Sequence, residues 1–384
     1  MKKVVLSAMA LAMGSFVMAQ NNNSNVSQNG ADNNSNVEQR GQDQRSVVRV
    51  YGDLNNTKVL QNGTSNNQVT EVAGLSATSN RTNVNQRGTT NNATLDIAGD
   101  ENIVNVNQRG TDNNNGPNSG HIWSGDPNAV EISGNSNRAN IDQNGNLNEG
   151  FILTEGDNNR ADIDQRGNEN LSYITTTGTA INNVAESFQD GTSNSSEINQ
   201  TATGTFADST PDSNTAFVSQ IGSTNTSTIE QTRFDAYANV DQVGSDHLSD
   251  ISQESFGNDR ANITQRGMTQ TSYVVQVSGL ENRANVNQYG QDHSSLVIQS
   301  GEYDRANVTQ RGSASTSTID QDTSGGIANA SVANVTQTGM GHLSEIIQRG
   351  TGAHRANVTQ TGMGQISNIN QTGMGNISNI TQGN

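Results

Sequence analysis

The side chains able to do chemistry are few, and their spacing suits little of it. The chain has five His and no Cys, so thiolate metal sites and disulfide frameworks are excluded. His247, His293 and His342 occupy one position of a recurring phrase, in alternate copies. Copies stacked at ~4.8 Å would hold them about 9.6 Å apart, too far for one metal reached at about 2 Å by each nitrogen. Surface histidines are expected. Asp162-Ile163-Asp164 looks like a fragment of a calcium loop, but on a strand both carboxylates point one way without converging. No Ser/His/Asp set, phosphate loop or calcium nonapeptide can be assembled. No catalytic residue, metal or cofactor is expected, and the chain is not read as an enzyme. The chemistry that does recur is that of the primary amide. Gln stands at one slot of every second repeat unit: Gln39, Gln61, Gln86, Gln108, Gln143, Gln165, Gln189, Gln220, Gln242, Gln265, Gln288, Gln310, Gln337, Gln360 and Gln382. Each amide has two donor hydrogens and an acceptor oxygen. Stacked in register and facing inward, such groups bond to those above and below.

What positions these amides cannot be an ordinary core. Of 384 residues only 30% are hydrophobic, against about 45–50% in a typical globular domain. The excess is Asn, Gln, Ser, Thr and Gly. A net charge of −17 argues against a nucleic-acid partner, which would need basic surface to displace counterions. Either the chain is disordered or its polar residues are stacked, and order in the sequence decides between them.

Residues 1–19 read as a secretory signal peptide. Lys2 and Lys3 precede the apolar run Val4 to Val17, and Val17 and Ala19 suit cleavage before Gln20. The run is shorter than the roughly 18 residues of a membrane span. No later stretch could cross a bilayer as an apolar helix. The mature chain is expected in the periplasm and then outside the cell.

The remainder, 20–384, is a repeat. Thirty units run from Ser24 to Gln382, alternating between a phrase that opens with Ser and one that opens with Ala. Ala139 to Gly145, Ala261 to Gly267 and Ala306 to Gly312 show the second. From A-type to S-type slot, 13 of 14 steps are eleven residues; from S-type to A-type only 8 of 15 are. The first connection is therefore a tight turn and the second an open loop that accepts insertions. The main insertions lie near 111–127, 201–214 and 323–331. Pro117, Pro127, Pro211 and the single Trp123 fall within the first two, so no proline deletes a ladder hydrogen bond.

Each unit alternates at period two, as in Ala261-Asn262-Ile263-Thr264-Gln265, which is a strand with Ala, Ile and Gln on one face. Gly follows two residues after the A-type Gln, at Gly41, Gly63, Gly88, Gly110, Gly145, Gly167, Gly267, Gly312 and Gly362 among others. There it supplies a positive φ for a reversal. Five-residue strands, about six-residue turns and two strands per repeat predict an all-β fold. The expected form is a flattened cross-β solenoid of about fifteen rungs of ~22 residues, about 70 Å long. An antiparallel meander would not keep two phrases distinct. The S-type slot is looser: Val50, Val72, Ile97, Ile132, Thr154 and Thr176 replace Gln in six consecutive rungs.

Soluble solenoids need polar caps, and the array runs almost from Gln20 to Asn384 without one. Unpaired strand edges recruit another chain. A second copy stacked on the end is a heterologous, open contact that generates a filament. Head-to-tail polymerisation is the expected activity.

The phrase Gly-x-x-Asn-x-Ala-x-x-x-Gln, standing at Gly134 to Gln143 and at Gly156 to Gln165, resembles the second half of the curlin repeat of curli fibre subunits. The S-type unit resembles its first half. The resemblance implies a bacterial functional amyloid, exported through an outer-membrane channel and polymerised at the cell surface by a nucleator, as part of a biofilm matrix that serves adhesion. The family's Ser six residues before the first Gln is here Asn194, Gln270 or His293, although Ser315 keeps it. Only Gln20 to Asn23 precede the first repeat, where the family has a longer export-targeting segment.

Arg81, Arg138, Arg160, Arg260, Arg283, Arg305 and Arg355 precede the Ala slot and form a surface stripe. It could bundle filaments or bind an anionic matrix polymer; charge rows are more often solvated gatekeepers against edge pairing. A soluble binding rod, of adhesin or ice-binding type, is the alternative function. Ice binding needs flat Thr arrays, and only Thr336/Thr338 and Thr359/Thr361 provide them.

Overall fold

Alternation of inward and outward residues makes a strand of every unit. The computed structural model describes residues 21–73, 77–114, 130–178, 181–202, 213–255, 257–324, 326 and 330–383. The expected leader 1–19, Pro117, Trp123, Pro127 and Pro211 lie outside the described residues, and the three insertions keep only their ends within them.

The chain divides into two units: Met1–Thr154 with Ala161–Asn170, and Glu155–Arg160 with Leu171–Asn384. The first carries β1 (Asn23–Asn29), β2 (Asn34–Gln42), β3 (Arg45–Tyr51), β4 (Asn56–Thr64), β5 (Asn67–Ala73), β6 (Arg81–Thr89), β7 (Asn92–Ala98), β8 (Ile103–Thr111), β9 (Val130–Ser133), β10 (Arg138–Asn146), β11 (Glu149–Glu155) and β12 (Arg160–Asn168), apart from Glu155 and Arg160. The second carries β13 (Leu171–Gly178), β14 (Val184–Thr192), β15 (Ser195–Ala202), β16 (Thr215–Ser223), β17 (Thr226–Arg233), β18 (Tyr237–Ser245), β19 (Leu248–Ser255), β20 (Arg260–Met268) and β21 (Thr271–Val277). It continues with β22 (Arg283–Gln291), β23 (Ser294–Gln299), β24 (Arg305–Ser313), β25 (Thr316–Thr323), β26 (Val332–Met340), β27 (Leu343–Gly350), β28 (Arg355–Met363), β29 (Ile366–Gly373) and β30 (Ile377–Gln382).

Odd strands pair with odd and even with even, always parallel, giving two 15-stranded sheets in sequence order. The fold is an all-β solenoid. Each phrase stacks on its own kind: Gln39 lies beside Gln61, and Ile229 beside Ile251. Within each unit the inward side chains of the two sheets are buried together. Leu95, Ile97, Val106 and Ile141 are fully buried in the first unit, and Ile198, Ile229, Ile263 and Ile319 in the second.

The strands are longer than the expected five residues. Even strands from β2 to β28 have nine, because the ladder continues through the glycine. Gly267 pairs with Gly290, and Gly290 with Gly312. Except between β8 and β9, only two residues then separate an even strand from the next odd one, as Thr269 and Gln270 do between β20 and β21. The reversal is made two residues past the glycine, by a residue such as Thr269 (φ 55°), Asp292 (φ 58°) or Ala314 (φ 52°).

Candidate functional site

Three columns of buried polar groups run along the strands. The first is the A-type Gln column. In the first unit, Nε2 of Gln39, Gln61, Gln86, Gln108 and Gln143 donates to Oε1 of Gln61, Gln86, Gln108, Gln143 and Gln165 at 2.8–3.0 Å. In the second, the same bond links Gln189, Gln220, Gln242, Gln265, Gln288, Gln310, Gln337, Gln360 and Gln382 at 2.8–2.9 Å. The other amide hydrogen goes to a carbonyl of the facing sheet, as from Gln265 to Leu248 (3.0 Å) and from Gln288 to Thr271 (3.0 Å). All the donors point toward the C-terminal strand, so the column has a direction.

The second column is the S-type slot. In the second unit Gln200, Gln231, Gln253, Gln276, Gln299, Gln321, Gln348 and Gln371 repeat the ladder at 2.8–2.9 Å. In the first unit Val50, Val72, Ile97 and Ile132 occupy that slot, and all are buried. An apolar run needs no partner, so Val50 to Ile132 and the Gln run from Gln200 fill one position by different chemistry, with Thr154 and Thr176 between them.

The third column lies in the turns, and sequence reasoning missed it. Asn66, Asn91, Asn113, Asn148 and Asn170 are buried and stacked. Asn91 Nδ2 donates to Asn66 Oδ1 (3.1 Å) and to the Gly110 carbonyl (3.1 Å). Asn55, Asn80, Asn102 and Asn137 do the same at the other turn, where Asn80 donates to the Gly99 carbonyl at 2.7 Å. The available signal was the recurrence of Asn six residues before the S-type slot. Alternation gives no inward phase there, because a turn breaks period two.

In the second unit the columns of both turns take up titratable groups: His247, His293 and His342 before odd strands, His354, Asp259 and Asp304 before even ones. His247, His293, His342 and His354 are buried, with at most 1% of each exposed, which corrects the expectation of surface histidines. The imidazole reproduces the amide it replaces. His293 Nδ1 accepts from the Ser315 N–H (3.3 Å), and Nε2 faces the Tyr289 carbonyl (3.1 Å). His342 does so with Gln365 and Thr338, and His354 with Asn376 and Arg349. This pairing requires the neutral ring with its proton on Nε2. Burial lowers the pKa of His247 and His293. Asp259 and Asp304 are also fully buried here. Burial pushes the Asp304 carboxyl up to about 7, although the Thr323 hydroxyl donates to it. Its Oδ2 has no hydrogen-bond partner among the described residues. Asn282, one rung earlier, uses its Nδ2 at the same place to donate to the Gly301 carbonyl at 2.8 Å.

The glycines of the even strands are required by close approach. Gly41, Gly63, Gly88, Gly110, Gly145, Gly167, Gly267, Gly312 and Gly362 all have φ between 97° and 139°. A Cβ on Gly290 would stand 1.9 Å from the Gly312 carbonyl oxygen. Gly290→Ala is expected to cost more than about 4 kcal/mol, since the Gly312 backbone must move and φ is strained for any side chain. A denaturant midpoint no lower than wild type would refute this.

The Arg residues stand at the outward first position of even strands. Arg160 pairs with Glu186 at 3.0 Å, and Arg260, Arg283 and Arg305 are direct neighbours on successive rungs. Asp142 and Asp164 face outward as a like-charged pair, and burial together with Asp164 raises the Asp142 pKa. Among the described residues, no group of His, Asp or Glu could hold a metal ion, and no helix is long and apolar enough to cross a membrane.

Four segments, residues 77–110, 134–165, 156–180 and 257–290, match the family model described as the Curlin associated repeat. No curated protein matches the chain.

Proposed function

From a chain that carries the Curlin associated repeat, we propose a structural subunit that polymerises head to tail into an extracellular, curli-type cross-β fibre. The role is architectural and needs no catalytic chemistry. The observation that carries this reading is the polarity of the Gln ladder from its first described rung to its last. Among the described residues, no Gln donates to Gln39 Oε1, and Gln382 Nε2 donates to the Ile366 carbonyl (2.9 Å) and to no Gln. The apolar column is open as well. Val26 on β1 is 43% exposed, whereas its register partner Val48 is fully buried. A second copy placed with its β1 and β2 on β29 and β30 of the first continues every column and pairs the exposed edges. Each rung then gains the neighbours that make interior rungs stable.

The partners follow from this reading: further copies of the chain, with a nucleator and an outer-membrane export channel drawn from the resemblance. Export through the periplasm by way of residues 1–19, a place in biofilm matrix and a part in adhesion belong to the same proposal. The test is dilution of the purified mature chain from denaturant. Thioflavin-positive filaments are expected in electron micrographs, with fibre reflections at about 4.7–4.8 Å and about 10 Å. A monomer that persists for days in the analytical ultracentrifuge would overturn the reading.

A further inference from the structure

From β20 to β30 the outward face of the even-strand sheet carries cations and no anion. The outward positions of β20, β22, β24, β26, β28 and β30 hold no Asp or Glu, in a chain of net charge −17. Arg260, Arg283 and Arg305 stack directly, and Arg355 holds the same position two rungs on, beyond Val332. All four are exposed and without an ion pair among the described residues. At the far end of these strands Arg266 reaches back to Asp241 (3.3 Å) and Arg311 lies over the Tyr289 ring, 5.5 Å from its centre. Between the two rows runs an outward amide ladder, Asn262, Asn285, Asn307, Asn334, Asn357 and Asn379, with bonds of 2.7–3.0 Å. It holds the face regular from rung to rung.

The outward face of the other sheet is its complement. From β17 to β27 it carries Glu230, Asp250, Glu254, Asp320, Asp322 and Glu345, with Arg349 bound to Asp320. Between the two acidic groups sits an apolar patch of Tyr273, Val275, Leu296 and Ile298, of which Tyr273 is 36% exposed. The acids crowd one another: burial and Glu230 together raise the Asp250 pKa.

Like charges stacked one rung apart repel by about 1 kcal/mol per pair even at the dielectric of water. A facing surface of opposite charge and the same repeat removes that cost. A parallel sheet repeats every ~4.8 Å, and the acidic face is such a sheet. We propose that the outward face of β20–β28 docks on the outward face of β17–β27 of a second copy, joining filaments side by side. The filaments themselves rest on the polymer reading above. Facing sheets pack about 10 Å apart, within reach of an Arg side chain. Each copy presents one face of each kind, so the contact is heterologous and open, and ribbons of several filaments result.

The test compares wild-type fibres with Arg260→Glu/Arg283→Glu/Arg305→Glu, with Gln at the same three positions, and with Asp250→Lys/Asp320→Lys/Glu345→Lys. Wild type should form ribbons at low ionic strength that part into single filaments near 1 M salt, where the screening length is about 3 Å. Each variant should elongate at the wild-type rate yet stay as single filaments, and mixing the Glu and Lys variants should restore ribbons. Ribbons that persist in every variant would overturn the proposal. So would unchanged bundling with loss of polyphosphate binding in the Arg variants, which would assign the face to a polyanion. If wild type forms no filament, the polymer reading fails separately. Face docking is then read from low-salt self-association of the solenoid in the ultracentrifuge, with the same variants expected to abolish it.

Discussion

Gln265→Leu costs the second unit about 2–5 kcal/mol, and adding Gln288→Leu costs little more. The single change removes the bonds from Gln242 and to Gln288. It leaves a buried acceptor on Gln288 unmet and one donor hydrogen of Gln242 with only the more distant Ser249 hydroxyl (3.2 Å), an unmet buried group costing about 1–3 kcal/mol. The Leu248 carbonyl also loses its donor. In the double variant the orphaned groups move to Gln242 and Gln310, and their number in the column stays the same. The cost therefore scales with the ends of an apolar run and not with its length, which is why Val50, Val72, Ile97 and Ile132 are accommodated together in the other column of the first unit. Denaturant midpoints of the single and double variants measure the effect. Strictly additive losses would show that the ladder is not a coupled column.

The second large effect is on pH. Asp304 has a folded pKa of about 7 against 3.8 unperturbed. Between these values the folded state holds a proton that the unfolded state has released. Stability thus falls as pH rises from about 4 to about 7 and does not recover above it, by roughly 4 kcal/mol in total. Asp304→Asn is expected to return most of that at pH 8, because its amide can donate where Oδ2 stands alone. Asp322 nearby adds to the shift. His247 and His293 act in the opposite sense. Their folded pKa values are lowered by burial, with Asp246 and Asp292 opposing. Their contribution is intact above the unfolded value of about 6.5 and is lost as pH falls through the folded one. A proton on Nδ1 would meet the Ser315 N–H at 3.3 Å. The second unit should be most stable in mildly acidic solution, and the Asn variants of His247 and His293 should resist acid better. Unfolding midpoints of Asp304→Asn that track wild type from pH 4 to pH 8 would contradict the assignment.

Much of this arrangement was legible in the sequence, for a physical reason. A strand alternates its side chains at period two, so a repeated small-polar-apolar-polar-Gln phrase states which residues face the core. Two phrases that never exchange letters require like to stack on like. The solenoid, its parallel pairing and the inward phase of Ile263 and Gln265 follow from that alone. The nine-residue strands did not follow, because glycine at positive φ looks like the end of a strand, and only the next rung's carbonyl, 1.9 Å from where a Cβ on Gly290 would stand, makes it part of the ladder.

Burial in the turns was decided by the tertiary structure. His293 reads as a surface group, and nothing in the sequence singles out Asp304, because no periodicity marks a turn residue as inward. What buries them is the stack, which sets the carbonyls and N–H groups of adjacent rungs around each side chain. The charge faces divide in the same way. The sequence by itself determined that Arg260, Arg283 and Arg305 share an outward position. Only the stacked sheets decide which charges pair, as Arg266 does with Asp241 and Arg349 with Asp320, because partners 25 and 29 residues apart in the chain meet only across adjacent rungs.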